Sequence, residues 1–204
     1  MYFIGASMSK KANLGAAQDG AGGKRARTRA TLIEAAAAVI GEKGFDRASL
    51  EEIAARAGMT RGAVYGNFKD KEELFLAVVE TRWKPIVPPL KPGASFREQM
   101  RILGKTVAKE AHARRSQAAA ACAFQLYTLT HEGMRLRMTR QNASLYKRMA
   151  KELVKIVPPD QLPMPAEKFV CVLDAIITGL LFTFFQTPEL ITEDVFVAAF
   201  EALA

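Results

Sequence analysis

Between Ser49 and Phe75 the chain is punctuated at intervals that suit only small, sharply turned helices, and this constrains the fold more than any other feature. Ser49 and Glu52 are spaced as a reciprocal capping box ahead of Ile53 and Ala54, and Gly58 supplies a stop two turns later. Thr60 caps a second short helix to about Asn67. Asp70 with Glu73 starts a third, through Leu74, Phe75, Val78 and Val79, which meets Pro85. Two short helices joined across Gly58-Met59 are the sequence form of a helix-turn-helix. Leu50, Ile53, Ala54 and Ala57 form the inner face of the first, and Val64 and Phe68 that of the second. Small Ala54 permits close approach, and Gly58 takes the left-handed conformation that the turn demands.

The rest of the chain also has helical periodicity. Residues 9–23 end in glycines without an apolar period and predict a flexible tail. A helix from about Thr28 carries Leu32, Ala36, Val39 and Ile40 on one face and stops at Gly44, with Phe45 as a core anchor. Prolines 85, 88, 89 and 92 mark a linker. Beyond it, Ser95 and Glu98 cap a helix with the stripe Phe96, Met100, Leu103 and Val107. An apolar helix over about Gln117 to Leu129 follows, then a longer one bearing Met134, Met138, Leu145, Met149, Leu153 and Ile156. Four prolines between 158 and 165 form a second break before an apolar helix and a last one capped by Thr192. No strand alternation and no repeat is found. The expectation is an all-α chain of about nine helices, with a tail (1–23), a small three-helix domain (24–70) and a larger helical domain (71–204).

Composition narrows the function classes. Hydrophobic residues at 50% and charged residues at 25% suit a globular core. The formal charge of +8 points to an anionic partner, and residues 1–70, with 11 basic against 7 acidic side chains, hold half of that excess in a third of the chain. Phe169 to Phe185 is almost wholly apolar, but it is short for a membrane span and carries Asp174 in its middle, so a buried helix is expected. Cys122 and Cys171, in apolar runs, are read as small core residues of a reducing compartment. The start, without a basic stretch before its apolar residues, is not expected to be a secretory signal. An enzyme is not expected. The glycines ending in Gly23-Lys24-Arg25 fail as a phosphate loop, no Gly-x-Ser-x-Gly elbow occurs, and the two histidines lack metal spacing. Glu51-Glu52 and Glu72-Glu73 fall in first helical turns, where the helix dipole accounts for them. No cofactor and no metal are expected.

The stretch SLEEIAARAGMTRGAVYGNFKDKEELF, from Ser49 to Phe75, closely resembles the DNA-binding domain of the TetR family of bacterial transcription regulators. The preceding TRATLIEAAAAVIGEKGFDRAS also fits, to its Gly-aromatic-Asp ending at Gly44, Phe45 and Asp46, so the resemblance covers about residues 25–80. It implies a homodimer whose two recognition helices enter successive major grooves of a palindromic operator in the cytoplasm. At the start of the second short helix Thr60 suits a phosphate, and Arg61 is the best candidate to read a base, because guanidinium forks match guanine O6 and N7. Gly62 and Ala63 are small enough to let the helix sit deep. Ser49, Tyr65, Lys69 and Lys71 are further candidates, the last three at positions where the family usually holds phosphates, and Asn67 stands where the family often has histidine. Lys24, Arg25, Arg27 and Arg29 suit phosphate or minor-groove contacts by an arm that orders only on DNA.

The resemblance further implies that the remaining helices bind a small molecule and pair the subunits. Trp83, Phe96, Met100, Leu103, Phe124, Tyr127, His131, Met134 and Met138 are candidate walls of an effector pocket suited to an apolar or aromatic compound, with His112 as a further polar handle. Phe169, Leu173, Ile176, Leu180 and Phe184, with Phe196 and Phe200, are candidates for a four-helix dimer interface. In a repressor of this kind the free dimer holds its recognition helices about 34 Å apart, and effector binding changes that separation through the helix over residues 71–84. Two other readings stay open, a DNA-binding regulator without a small effector and an all-α metabolite-binding protein. Sequence-specific, salt-dependent DNA binding separates them.

Overall fold

The computed structural model describes residues 21–204, which hold nine α-helices and no β-strand. In chain order these are α1 (Ala21–Arg47), α2 (Leu50–Arg56), α3 (Arg61–Tyr65), α4 (Lys71–Arg82) and α5 (Phe96–Arg114), then α6 (Ala118–Thr130), α7 (Glu132–Leu153), α8 (Ala166–Gln186) and α9 (Glu193–Glu201). The expected tail lies outside the described residues except for 21–23, which open α1. That helix therefore starts seven residues before the expected Thr28: Gly22 and Gly23 disfavour a helix but do not forbid one when Lys24, Arg25 and Ala26 follow. Gly44 does interrupt it, at φ 79° and ψ 169°, before a last turn to Arg47.

The described residues form two units: 21–83 with Ala123–Arg135, and 84–122 with 136–204. The first thus takes in α4 through Trp83, beyond the boundary expected at residue 70, together with a separate stretch from α6 and α7. Its centre is aromatic. The Phe45 ring lies 5.5 Å from that of Phe75, 5.3 Å from Phe124 and 5.7 Å from Tyr127, while Tyr127 stacks on His131 at 3.8 Å and Trp83 lies 6.1 Å from Phe124. Phe45, Phe75, Phe124 and Tyr127 are fully enclosed, and such pairs each add roughly 0.5–1.5 kcal/mol beyond area burial. Around them, Leu32, Val39, Ile53, Val64, Phe68 and Leu74 close the core of α1 to α4. On its surface Arg56 grips Glu42 with two hydrogen bonds of 2.7 and 2.6 Å, and Arg82 meets Glu34 at 2.7 Å.

In the second unit α5, α7, α8 and α9 share one apolar core, in which Phe169, Phe184, Phe196 and Phe200 are fully buried beside Val107, Ile177 and Leu181. The α5–α9 contact is unusually close at Gly104: a Cβ built there would lie 2.8 Å from the Cα of Val197 and 3.1 Å from the carbonyl oxygen of Phe196. Buried polar side chains fasten the proline-rich segment before α5. Gln99, with no exposed surface, accepts from the Lys91 amide at 3.0 Å and donates to its carbonyl. Arg114 donates to the Lys84 carbonyl at 2.7 Å and pairs with Glu110.

α8 is long and apolar enough to cross a bilayer by length and composition alone. Within this unit, however, one face packs into the core and Asp174 accepts a 2.7 Å hydrogen bond from the Tyr146 hydroxyl. Burial first, and Asp174 second, push the Tyr146 hydroxyl well above its usual pKa. Several expectations are corrected here. Cys122 and Cys171 are free and exposed, on the outward sides of α6 and α8; the apolar runs that hold them do not by themselves show which face turns inward. Thr192 does stand at the N-cap of α9, but its hydroxyl donates to Asp194 instead of accepting from a backbone amide of the helix. Phe169, Leu173, Phe184, Phe196 and Phe200, expected at a dimer interface, are buried in the chain's own core and have no surface left for a partner, and Ile176 and Leu180 pack partly against that core. The exposed residues of α8 are Glu167, Lys168, Cys171, Ala175, Gly179, Thr183 and Gln186.

Candidate nucleic-acid interface

The turn between α2 and α3 is built as its sequence requires. Ser49 Oγ accepts from the Glu52 amide at 3.2 Å, and the Glu52 carboxylate accepts from the Ser49 amide at 3.4 Å, completing the box. Gly58, at φ +64°, ends α2, and the Met59 amide reaches back to the Ala54 carbonyl at 2.9 Å. Thr60 then caps α3, its Oγ1 accepting from the Ala63 amide at 3.3 Å. Of the five residues of α3 only Val64 is buried; Arg61, Gly62 and Tyr65 are exposed and Ala63 is half-buried. A helix this short is held by its caps and by Val64 with the following Phe68, which leaves its other side free.

On that side three side chains are linked. Arg61 Nη2 donates to the Tyr65 hydroxyl at 3.1 Å, its guanidinium carbon lies 5.4 Å from the Tyr65 ring centre, and Nη1 lies 2.7 Å from a carboxylate oxygen of Glu51 on α2. The Tyr65 bond first, and Glu51 second, hold the guanidinium proton more tightly than usual. Gly62 has room for a methyl group, since a Cβ there would meet only Thr60 Oγ1 at 3.7 Å.

The other candidates divide into exposed cations and residues engaged within the fold. Lys24, Arg25, Arg27 and Lys69 are exposed. Arg25 already donates to the Gly66 carbonyl at 3.4 Å, and Arg29 donates to the Asn67 carbonyl at 2.7 Å with its guanidinium 4.0 Å from the centre of the Phe68 ring. The expectation of an arm ordered only by DNA is corrected from residue 21 onward. These residues are helical, and two of the arginines fasten the end of α3, whose last carbonyls need donors. Lys71 donates to the Asp46 carbonyl at 3.3 Å and sits 5.0 Å from the Phe75 ring centre, so it caps the end of α1. Asn67 donates its side-chain amide to the Ala63 carbonyl at 2.8 Å. The Ser49 hydroxyl is occupied by its capping bond.

The nine residues expected around an effector are shared between the units. Trp83, Phe124, Tyr127, His131 and Met134 belong to the first, where the first four join the aromatic cluster filled by Phe45 and Phe75. Phe96, Met100, Leu103 and Met138 belong to the second; Phe96, Met100 and Leu103 face its core, and Met138 is buried. Sequence reasoning misses Glu51 as a residue of the candidate interface, and it names Arg29 without finding its partner. Glu51 was assigned to the helix dipole, although Glu52 alone completes the box and the second carboxylate was surplus to the cap. Arg29 was grouped with its basic neighbours, and nothing local marks its reach to Asn67.

Comparisons with known proteins agree with this geometry. Residues 32–78 match the sequence profile described as bacterial regulatory proteins, tetR family. Curated regulators matched at 43–44% identity align over only 26–44% of their own length. A longer match, 28% identical over 177 residues, covers 79% of this chain and 82% of the HTH-type transcriptional regulator TtgR of Pseudomonas putida. Among solved structures the chain is similar to NalD of Pseudomonas aeruginosa, the secondary repressor of the MexAB-OprM multidrug efflux pump, at TM-score 0.57 and 24% identity over 87% of this chain and 93% of that one. It is also similar to SmeT in its complex with triclosan, at TM-score 0.55 and 23% identity over 85% and 91%. These relatives are transcription regulators rather than enzymes. With its capped turn and its exposed short third helix, the chain is similar over residues 32–78 to the bacterial regulatory proteins of the tetR family.

Proposed function

We propose that the chain is a dimeric cytoplasmic repressor whose two copies of α3 read a palindromic operator and are released by a small apolar or aromatic effector. The observation that carries this reading is the outer side of α3, where Arg61, Gly62 and Tyr65 stand exposed around a single buried Val64. An arginine fork can take guanine O6 and N7, and the glycine lets the backbone approach the groove floor. Exposed Lys24, Arg27 and Lys69 supply charge for phosphates.

Pairing of two copies is supported by the outward face of α8. Past Glu167 and Lys168 at its start, the exposed stripe Cys171, Ala175, Gly179 and Thr183 repeats every fourth residue without a charge, on a helix whose other side is core. An effector is supported by the triclosan bound to SmeT and by Phe96, Met100, Leu103 and Met138, whose aromatic, thioether and aliphatic groups suit such a ligand.

The test is titration of the purified protein against DNA flanking its own gene at two salt concentrations with excess competitor, comparing wild type with Arg61→Ala and Tyr65→Ala. Saturable binding that survives competitor, is lost in both variants and is relieved by triclosan-like phenols is expected. Binding that is weak and indifferent to both substitutions overturns the DNA reading. Sedimentation of Ala175→Glu as a monomer, against a wild-type dimer, tests the α8 face.

A further inference from the structure

Both ends of the Arg61 fork are occupied by the protein itself, Nη1 by Glu51 at 2.7 Å and Nη2 by the Tyr65 hydroxyl at 3.1 Å. The two nitrogens that would read a guanine are therefore tied down before DNA arrives. Tyr65 cannot withhold the arginine from a phosphate, because a neutral hydroxyl competes poorly with an anion. Glu51 can, because a carboxylate offers the same charge-assisted bond that a phosphate does. Its position on the first turn of α2 is not needed for the cap, which Ser49 and Glu52 complete between them.

From this geometry we infer that Glu51 is a specificity residue: it holds Arg61 back from phosphates on random DNA and yields it only where a guanine accepts the whole fork. The inference rests on the reading of α3 as the recognition helix. On a non-cognate duplex Arg61 can exchange Glu51 for a phosphate, one charged acceptor for another, with little gained. On the operator the fork gains a bidentate, planar partner that Glu51 does not match. Glu51 thus lowers non-specific affinity more than operator affinity, which widens the ratio between the two that governs occupancy in a genome. The Arg61 and Glu51 side chains are 60% and 55% exposed, so the effect is several-fold rather than many thousand-fold.

The salt dependence of binding isolates this role. An operator is first selected from random-sequence DNA with the wild-type protein. Affinities for it and for a random duplex of equal length are then measured against salt for wild type, Glu51→Gln, Arg61→Ala and the double variant. Freeing Arg61 adds one phosphate contact on the random duplex, so Glu51→Gln is expected to steepen the slope of log K against log salt by about 0.9 there and to change it less on the operator. The operator-to-random ratio falls by roughly three- to tenfold. In the Arg61→Ala background the same substitution leaves both slopes unchanged.

An unchanged slope on the random duplex in Glu51→Gln overturns the restraint. A steepening that persists in the Arg61→Ala background overturns it too, because removal of a negative charge near phosphates then suffices. If Arg61→Ala leaves operator affinity unaltered, the recognition role of Arg61 falls, and the restraint with it. If Arg61→Ala weakens the operator complex while Glu51→Gln shifts nothing, only the restraint falls.

Discussion

Gly104 offers a test of how tightly α5 and α9 are joined, and its magnitude follows from two opposed terms. Replacing a helical glycine by alanine normally stabilises by about 1 kcal/mol, because the unfolded chain loses freedom and the helix gains propensity. At Gly104 the new Cβ would lie 2.8 Å from Val197 Cα and 3.2 Å from the Val197 amide nitrogen, where ordinary contact begins near 3.4 Å. These are backbone atoms of another helix and cannot rotate aside, so the axes must part by about 0.6 Å at that point. Overpacking of this kind costs typically 1–3 kcal/mol, and a backbone obstacle places it at the upper end. Neighbours on the seam, Leu103, Val107, Phe196 and Phe200, lose roughly a quarter of their contact energy across such a gap. The net expectation for Gly104→Ala is a loss of about 2 kcal/mol, or a fall in melting temperature of roughly 4–8 °C for a chain of this size. Gly41, in the interior of α1 with nothing within 4 Å of a built Cβ, is the matched control and should gain about 0.5–1 kcal/mol. Thermal unfolding followed by far-ultraviolet circular dichroism reads both. A Gly104→Ala protein as stable as the Gly41→Ala protein would refute the close approach.

The recognition side of α3 separates folding from reading: Gly62→Ala should leave thermal stability unchanged or higher, given its 3.7 Å clearance, yet weaken operator binding about tenfold if the bare backbone lies in the groove. Equal operator affinity in the alanine variant would rule out deep insertion at this position. Arg29→Ala removes the donor to the Asn67 carbonyl and the charge over Phe68, and should cost roughly 1–2 kcal/mol in urea unfolding with faster amide exchange in α3. Exchange that stays as slow as in wild type would show that α3 does not depend on this cap. Burial, and then Glu72 and Asp46, raise the Tyr127 hydroxyl to about 12, so the folded state keeps a proton that the unfolded chain releases near pH 10. Stability should therefore be unaffected below pH 10 and decline from there to about pH 12 by roughly 1.4 kcal/mol per unit. A Tyr127→Phe protein with the same alkaline decline would assign it to other groups.

How far the fold was legible depends on whether the determining contacts are local. Ser49, Glu52, Gly58, Thr60 and Asp70 act within four residues of themselves, and the structure uses each as its spacing predicts. Charged helices such as α5 also reveal their inner face, because Arg97, Arg101, Lys105 and Lys109 mark the outer one. α6 has no charge at all, and past Lys168 the one charge on α8 is Asp174, which is buried. With no outward charge along most of either helix to set the phase, the sequence alone does not show that Cys122 and Cys171 face outward or that Phe169, Leu173 and Phe184 fill the core. Arg29 with Asn67, Glu51 with Arg61 and Lys71 with Asp46 are bonds between separate elements, and no spacing rule reaches across a turn to find them. The candidate site was therefore visible as a set of residue types, while the partner of each arginine was not.

The aromatic cluster has a consequence for how the protein is made. Phe45 and Phe75 are covered partly by Phe124 and Tyr127, which lie some fifty to eighty residues further along the chain. A nascent chain that has emerged only as far as Trp83 holds every residue of the helix-turn-helix yet lacks part of its lid. At synthesis rates of about 5–20 residues per second, the 52 residues from Trp83 to Arg135 take roughly 3–10 s to follow. During that interval the growing chain shows an aromatic surface that the finished one hides, and its first unit closes only after residues 84–122 of the second have left the ribosome.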